Sequence, residues 1–276
     1  MAIADHSAYK ARVLAPRQRV RFSKPAPTVV INRPQVMPWS SAPDLGTVPT
    51  TAAVPVATTA GAMNSDNDGI RDSSGVHRIV GVRGLNSFIG RYMLADRLSH
   101  QGGLSGVVTT AQTTNLPTAA LTRYTTGEGV LISLEIYTQV GTTGTTVTAS
   151  YTNQAGTAGR TTTAVAFGAT SFREAWRTII LPLQADDTGV QAVASVTVLA
   201  TTGTAGNFGV TLFKPLLSFS LDQVGEFVID PLEDLGANCP EVVNQACLQW
   251  MFCAPTATQL VGTGTSFEGE ILLAED

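Results

Sequence analysis

Three histidines, His6, His77 and His100, are the whole imidazole supply of this 276-residue chain. A Ser–His–acid hydrolytic site would need His77 or His100, since His6 lies in a proline-studded N-terminal stretch. Ser105 sits in Gly102-Gly103-Leu104-Ser105-Gly106, which lacks the G-x-S-x-G spacing of a nucleophile elbow. The spacing around His100 instead predicts a residue near a helix C-terminus, where the dipole favours a cation. No phosphate-binding G-x-x-x-x-G-K-[ST] run occurs, and Gly262-Thr263-Gly264 lacks the third glycine of a dinucleotide fingerprint. Glu268 and Glu270 alternate with Phe267, Gly269 and Ile271, so both carboxylates share one face of a strand. A solvated or neighbour-facing edge accounts for them without catalysis. No catalytic residue is assigned, and no enzyme is expected.

One stretch imitates a metal loop. Asn64-x-Asp66-x-Asp68-Gly69, with Asp72 beyond it, resembles the start of a calcium loop. The twelfth position, which should carry a bidentate glutamate, is Gly75. A solvated turn is the expectation, with no metal and no cofactor. Cys239, Cys247 and Cys253 have no nearby histidine and match no zinc spacing. They read as small buried thiols.

Charge then divides the chain. Residues 1–62 carry seven basic groups (Lys10, Arg12, Arg17, Arg19, Arg21, Lys24 and Arg33) against Asp5 and Asp44. Residues 217–276 carry ten acidic groups and no Lys or Arg. Eight prolines from Pro16 to Pro55 interrupt the first segment, and each removes a donor and pushes its predecessor toward extended backbone. Residues 1–62 therefore read as an extended basic arm, without helix or long strand, that becomes ordered on a partner. Arg17, Arg19 and Arg21 would lie on one side of it. Arg12, Arg17, Arg19, Arg21, Lys24 and Arg33 are the expected partner-binding residues. The segment lacks interleaved aromatics for base stacking, so an acidic protein surface is favoured over nucleic acid.

Two helices are expected after the arm. Within a connecting region, 63–125, Asn86 or Ser87 could cap a helix. Phe88/Tyr92, Ile89/Met93 and Leu94/Leu98 are its i,i+4 pairs, and Gly102 and Gly103 follow its end. A second would begin at Pro240 and bury Val242, Val243, Ala246, Cys247, Trp250 and Met251. Region 126–276 otherwise alternates with period two. Val130, Ile132, Leu134 and Ile136 are aliphatic, with Ser133 and Glu135 on the other face. Similar patterns occur over 147–151, 163–167, 179–183, 191–199, 208–213 and 267–273, separated over 126–216 by glycine-rich turns. The expected fold is mainly β, an antiparallel, jelly-roll-like β-sandwich with one or two short helices and an extended N-terminal arm.

From Asp96 to Leu216, phrases such as "DRLSHQGGLSGVV", "SYTNQAGTAGRTT" and "ILPLQADDTGVQAVASVTVLATTGTAGNFGVTLFKPL" resemble virion structural proteins of tailed bacteriophages. The resemblance implies a particle component, for example one that decorates or cements the capsid, and carries no functional residues. The arm and the acidic C-terminal region lie outside it. Charged residues are only 14% of the chain, against about 25% in typical soluble domains, which fits a surface partly covered by neighbours. The expectation is a homotrimer bound to the major capsid protein, made in the host cytoplasm and resident in the virion, with no membrane span. Alternatives are a major capsid, neck or tail component. A host-glycan module is the rival class, although Trp39, Trp176 and Trp250 are scattered.

Overall fold

A computed structural model describes Ser7 and residues 18–25, 31–37, 50–60, 62–63, 76–116, 121–170, 172–231, 239–255 and 266–275. Among these residues every named element is a strand, and the strands form three antiparallel sheets. The first sheet runs β1 (Gln18–Pro25), β16 (Ser266–Glu275), β3 (His77–Asn86), β13 (Gly225–Ile229), with β14 (Glu241–Val242) also on β3. The second has six strands: β10 (Thr178–Leu181), β6 (Leu131–Thr138), β12 (Asn207–Leu221), β4 (Gly90–Leu104), β15 (Leu248–Cys253) and β2 (Gln35–Val36). The third joins β5 (Gln112–Leu116), β11 (Val190–Val198), β7 (Thr145–Asn153) and β8 (Arg160–Thr161), with β9 (Val165–Phe167) on β7.

The six-stranded sheet serves two cores. Its long strands β4 and β12 give Tyr92, Leu94, Leu217 and Phe219 to a first core, where Val20, Phe22, Phe227, Phe267 and Ile271 of the first sheet meet them. The other halves give Leu98, Leu104, Phe208, Val210 and Leu212 to a second core, opposite Val147, Ala149, Tyr151, Val193 and Val196 of the third sheet. Three register shifts between β12 and β4 accompany this change of partner, since bulges bend a strand and re-aim its side chains. The first core is aromatic. Phe267 lies 4.3 Å from Tyr92, 4.8 Å from Phe22, 5.1 Å from Trp250 and 5.5 Å from Phe227, centroid to centroid. The second is mostly aliphatic and matches the period-two pattern, with Val130, Ile132, Leu134 and Ile136 all buried.

Both expected helices are strands. Residues 90–104 form β4, which lies between β12 and β15. A surface helix would bury only one face of this stretch, whereas here the whole run 94–100 is buried. A strand buried on both faces has the continuous apolarity of a buried helix. Moreover, Phe88/Tyr92 and Leu94/Leu98 are four apart, a spacing that period two also satisfies. Gly102 and Gly103 follow no helix; Gly103 has φ +79° inside β4, close to the Thr50 carbonyl. Residues 240–251 become β14, a turn and β15. Leu248, Trp250 and Phe252 alternate into the first core, and Met251 belongs to a separate small cluster with Ala95 and Phe213.

The arm is also corrected in part. Residues 18–25 form an eight-residue strand, although the prolines around it argue against a long one. Gln18–Pro25 contains proline only at its last position, so the ladder survives. The strand pairs antiparallel with β16, Val20 opposite Ile271 and Phe22 opposite Gly269. Residues 50–60 and 62–63 pack onto the body as well: Ala53 bridges His100, and Ala57 and Met63 are buried.

Candidate functional site

Alternation along β1 sets up the surface. Val20, Phe22 and Lys24 are buried, while Arg19, Arg21 and Ser23 are exposed. On the outer face, Arg21 stands opposite Glu270, Glu270 opposite Arg83, and Arg83 opposite Val228. The adjacent row reads Ser23, Glu268, Leu85, Glu226. Arg83 Nε donates to Glu270 Oε1 at 2.5 Å, and Arg19 Nη1 lies 3.6 Å from Glu270 Oε2. The Glu270 carboxylate thus sits between two guanidiniums from different strands. Beside these charges Leu85 is 51% and Val228 72% exposed, and Val224 before β13 is 56% exposed. The face is an open concavity of about 610 Å³.

Two glycines shape it. Gly84 and Gly269 are in register on neighbouring strands, with Phe227 and Phe22 as their outer partners. A Cβ on Gly84 would lie 1.9 Å from the Glu268 carbonyl oxygen, and one on Gly269 2.1 Å from that of Arg83. Only glycine permits this approach of the two strands.

The remaining expected binding residues are dispersed. Arg12 and Arg17 lie outside the described residues. Lys24 is buried, and Arg33 is ion-paired with Glu174. Asp66 and Asp68 also lie outside them; among the described residues no group of three metal-ligating side chains occurs. His77 is buried in β3, and His100 in β4. Cys239 and Cys247 are buried free thiols, and burial pushes Cys247 up to about 12. Trp250 is a core residue, Trp176 is partly buried, and Trp39 lies outside the described residues.

A buried charged layer went unread in the sequence. Glu135 alternates outward from Ile132, Leu134 and Ile136, yet its reverse face is covered too, and it pairs with buried Arg97. Tyr137 donates to Glu135 Oε2 at 3.1 Å, and Arg97 Nη2 donates to Thr211 Oγ1 at 3.3 Å. Alongside, Arg123 holds Asp96 through Nε at 2.9 Å and Nη2 at 3.0 Å, and the Cys247 N–H donates to Asp96 Oδ1 at 2.8 Å. Both pairs are buried, and Glu135 Oε1 and Arg123 Nη1 have no hydrogen-bond partner among the described residues. Arg123 also donates to the carbonyls of Pro55 and Arg97, which ties residues 50–63 to β4.

Comparison with known protein families, with curated proteins and with solved structures finds no match. Function must therefore be argued from the residues themselves.

His100 gives a pH signature. Burial, reinforced by the Arg97 charge, lowers its pKa from 6.5 to about 2. The unfolded imidazole binds its proton near pH 6.5 and the folded one does not. This contribution to stability is therefore complete above about pH 6.5 and is lost as pH falls toward 2, by at most about 1.4 kcal/mol per unit. Urea melts at pH 7.5, 6.0 and 5.0 should show the decline, and His100→Gln should flatten it. An equal slope in His100→Gln would assign the decline to other groups.

Proposed function

We propose that this chain is a non-enzymatic structural protein of a tailed-phage virion, which binds the outside of the capsid shell and cements or decorates it. Its partner is the major capsid protein, its working form a homotrimer, and its place the virion after synthesis in the host cytoplasm. The observation that carries the reading is the outer face of the first sheet, where Leu85 and Val228 stand exposed among interleaved Arg and Glu side chains. Exposed apolar residues rimmed by polar ones mark association surfaces. Interleaved fixed charges set docking register more than affinity. The likeness of residues 96–216 to virion proteins supplies the class of partner. A protein that binds only the assembled shell stabilises it by mass action, and many copies together allow each contact to be weak.

The packing of β1 dictates the form of the test. Removing residues 1–62 would strip Val20, Phe22, Ala57 and Ala62 from buried positions, so loss of binding would report unfolding. The informative proteins are the full chain, a chain beginning at Gln18, and Leu85→Glu combined with Val228→Glu. Binding to capsids lacking the protein is measured by co-sedimentation, and shell heat resistance by scattering. Expected are saturable binding and a more heat-resistant shell with the full chain, and at least tenfold weaker binding with the double variant. Failure of the full chain to bind shells would sink the reading.

A further inference from the structure

Among the described residues, the first sheet ends in two strands of opposite charge. β1 is one terminal strand and β13 the other in the order β1-β16-β3-β13. β1 exposes Arg19 and Arg21; β13 and the turn before it expose Glu226 and Asp222. Each neighbouring pair in this order is antiparallel, so β1 and β13 run in opposite directions. A β1 from a second copy laid against β13 therefore continues the antiparallel ladder, with the two subunits related head to tail. In the sheet's own rows Arg21 leads to Val228 and Ser23 to Glu226, so the incoming β1 sets Arg21 opposite Glu226 on the outer face when it is shifted by two residues along β13.

We propose that β1 of one copy pairs with β13 of the next, joining subunits head to tail through a continuous sheet. This deepens the self-association in the function proposed above and rests on it only for the number of copies. The occupant is a second copy of this chain because the complementary strand, with matching polarity and opposite charge, is carried by the chain itself. Terminal strands offer unpaired backbone N–H and C=O groups, and strand addition satisfies them. A contact between two different surfaces closes into a ring when the rotation permits, and a ring leaves neither strand at an edge. The outer faces bearing Leu85 and Val228 stay available on one side of such a ring.

The test is sedimentation equilibrium of the full chain with two charge reversals, Arg19→Glu/Arg21→Glu and Asp222→Lys/Glu226→Lys. All four positions are exposed, and circular dichroism melts verify that each variant folds. Each pair of reversals alone is expected to weaken self-association at least tenfold. In an equimolar mixture, β1 of the Asp222→Lys/Glu226→Lys variant meets an unaltered acidic β13 and β1 of the Arg19→Glu/Arg21→Glu variant meets a basic one, so both contacts attract and mixed oligomers should form, while all four reversals in one chain should restore the wild-type oligomer. A monomeric wild type at 100 µM (roughly a hundred times a 1 µM Kd), or an oligomer indifferent to both reversals, would overturn the pairing. Shell binding is read separately: a monomer that still binds shells removes the pairing alone, and an oligomer that binds none removes the cement role alone.

Discussion

Glu135→Ala and Arg97→Ala are each expected to destabilise the protein by about 3–5 kcal/mol, the usual cost of leaving one member of a buried pair uncompensated. Both side chains are almost completely buried, and their bonds extend to Tyr137 and Thr211. Deleting either charge strands the other in a medium where water does not reach it. Arg97→Met with Glu135→Leu is expected to behave differently, because apolar residues of similar volume remove both desolvation costs together. Tyr137 and Thr211 then lose partners, which holds back about 1–3 kcal/mol. The double variant should nonetheless be more stable than either alanine variant, and the cycle closed with the single variants Arg97→Met and Glu135→Leu should give a coupling energy of about 2 kcal/mol or more. Equilibrium urea unfolding measures all five proteins. Additive losses would show that the pair acts as two independent residues.

Gly84→Ala is expected to cost about 3 kcal/mol or more, at the upper end for overpacking. The added methyl would meet the Glu268 backbone oxygen at 1.9 Å, and no rotamer change moves a carbonyl. The strands must separate, disturbing the Phe22, Phe227 and Phe267 packing behind them. Gly81→Ala is the control: it lies on the same strand, and its nearest obstacle is the flexible Leu272 side chain at 3.2 Å. A loss near 1 kcal/mol or less is expected there. Comparable melts for Gly84→Ala and wild type would mean the strands have room that the register does not suggest. Because Gly84 also underlies the exposed face, a folded Gly84→Ala variant should bind shells less tightly than Gly81→Ala.

These two sites illustrate what could be read from residue order. The aliphatic rows at 130–136 and 147–151 declared their strands, because each has one core face and a consistent period. Phe267 to Leu273 did so as well. Strand β4 did not, since its surroundings are buried on both sides and four-residue spacings fit helix and strand equally. The same double burial hid Glu135: a polar residue alternating with Leu and Ile reads as solvent-facing unless a second layer is known to cover it. Arg97 gave no signal of its own, as its partner lies on a strand 38 residues away in sequence. On the surface, the one-sided array of Arg19 and Arg21 was legible from spacing. Its neighbours Leu85, Glu226 and Val228 were not, because they come from strands whose order depends on long-range pairing. The acidic counterpart imagined for the arm on another molecule is met first within the chain, at Glu270.

The pairing of β1 with β16 has a consequence for biosynthesis. The two strands come from near opposite ends of the sequence, with Gln18 opposite Leu273 and Pro25 opposite Ser266. At about 5–20 residues per second, β1 emerges from a ribosome roughly 10–50 s before its partner is made. Through that interval the nascent chain carries an arginine-studded segment whose apolar side, Val20 and Phe22, has nothing to cover it. The second and third sheets draw on residues made earlier and could assemble while translation continues. The first sheet must wait for β16, so its outer face comes into existence only after the rest of the body. A polypeptide truncated before residue 266 would build no complete first sheet, and under the proposed role immature chains would be kept from the shell by their own incompleteness.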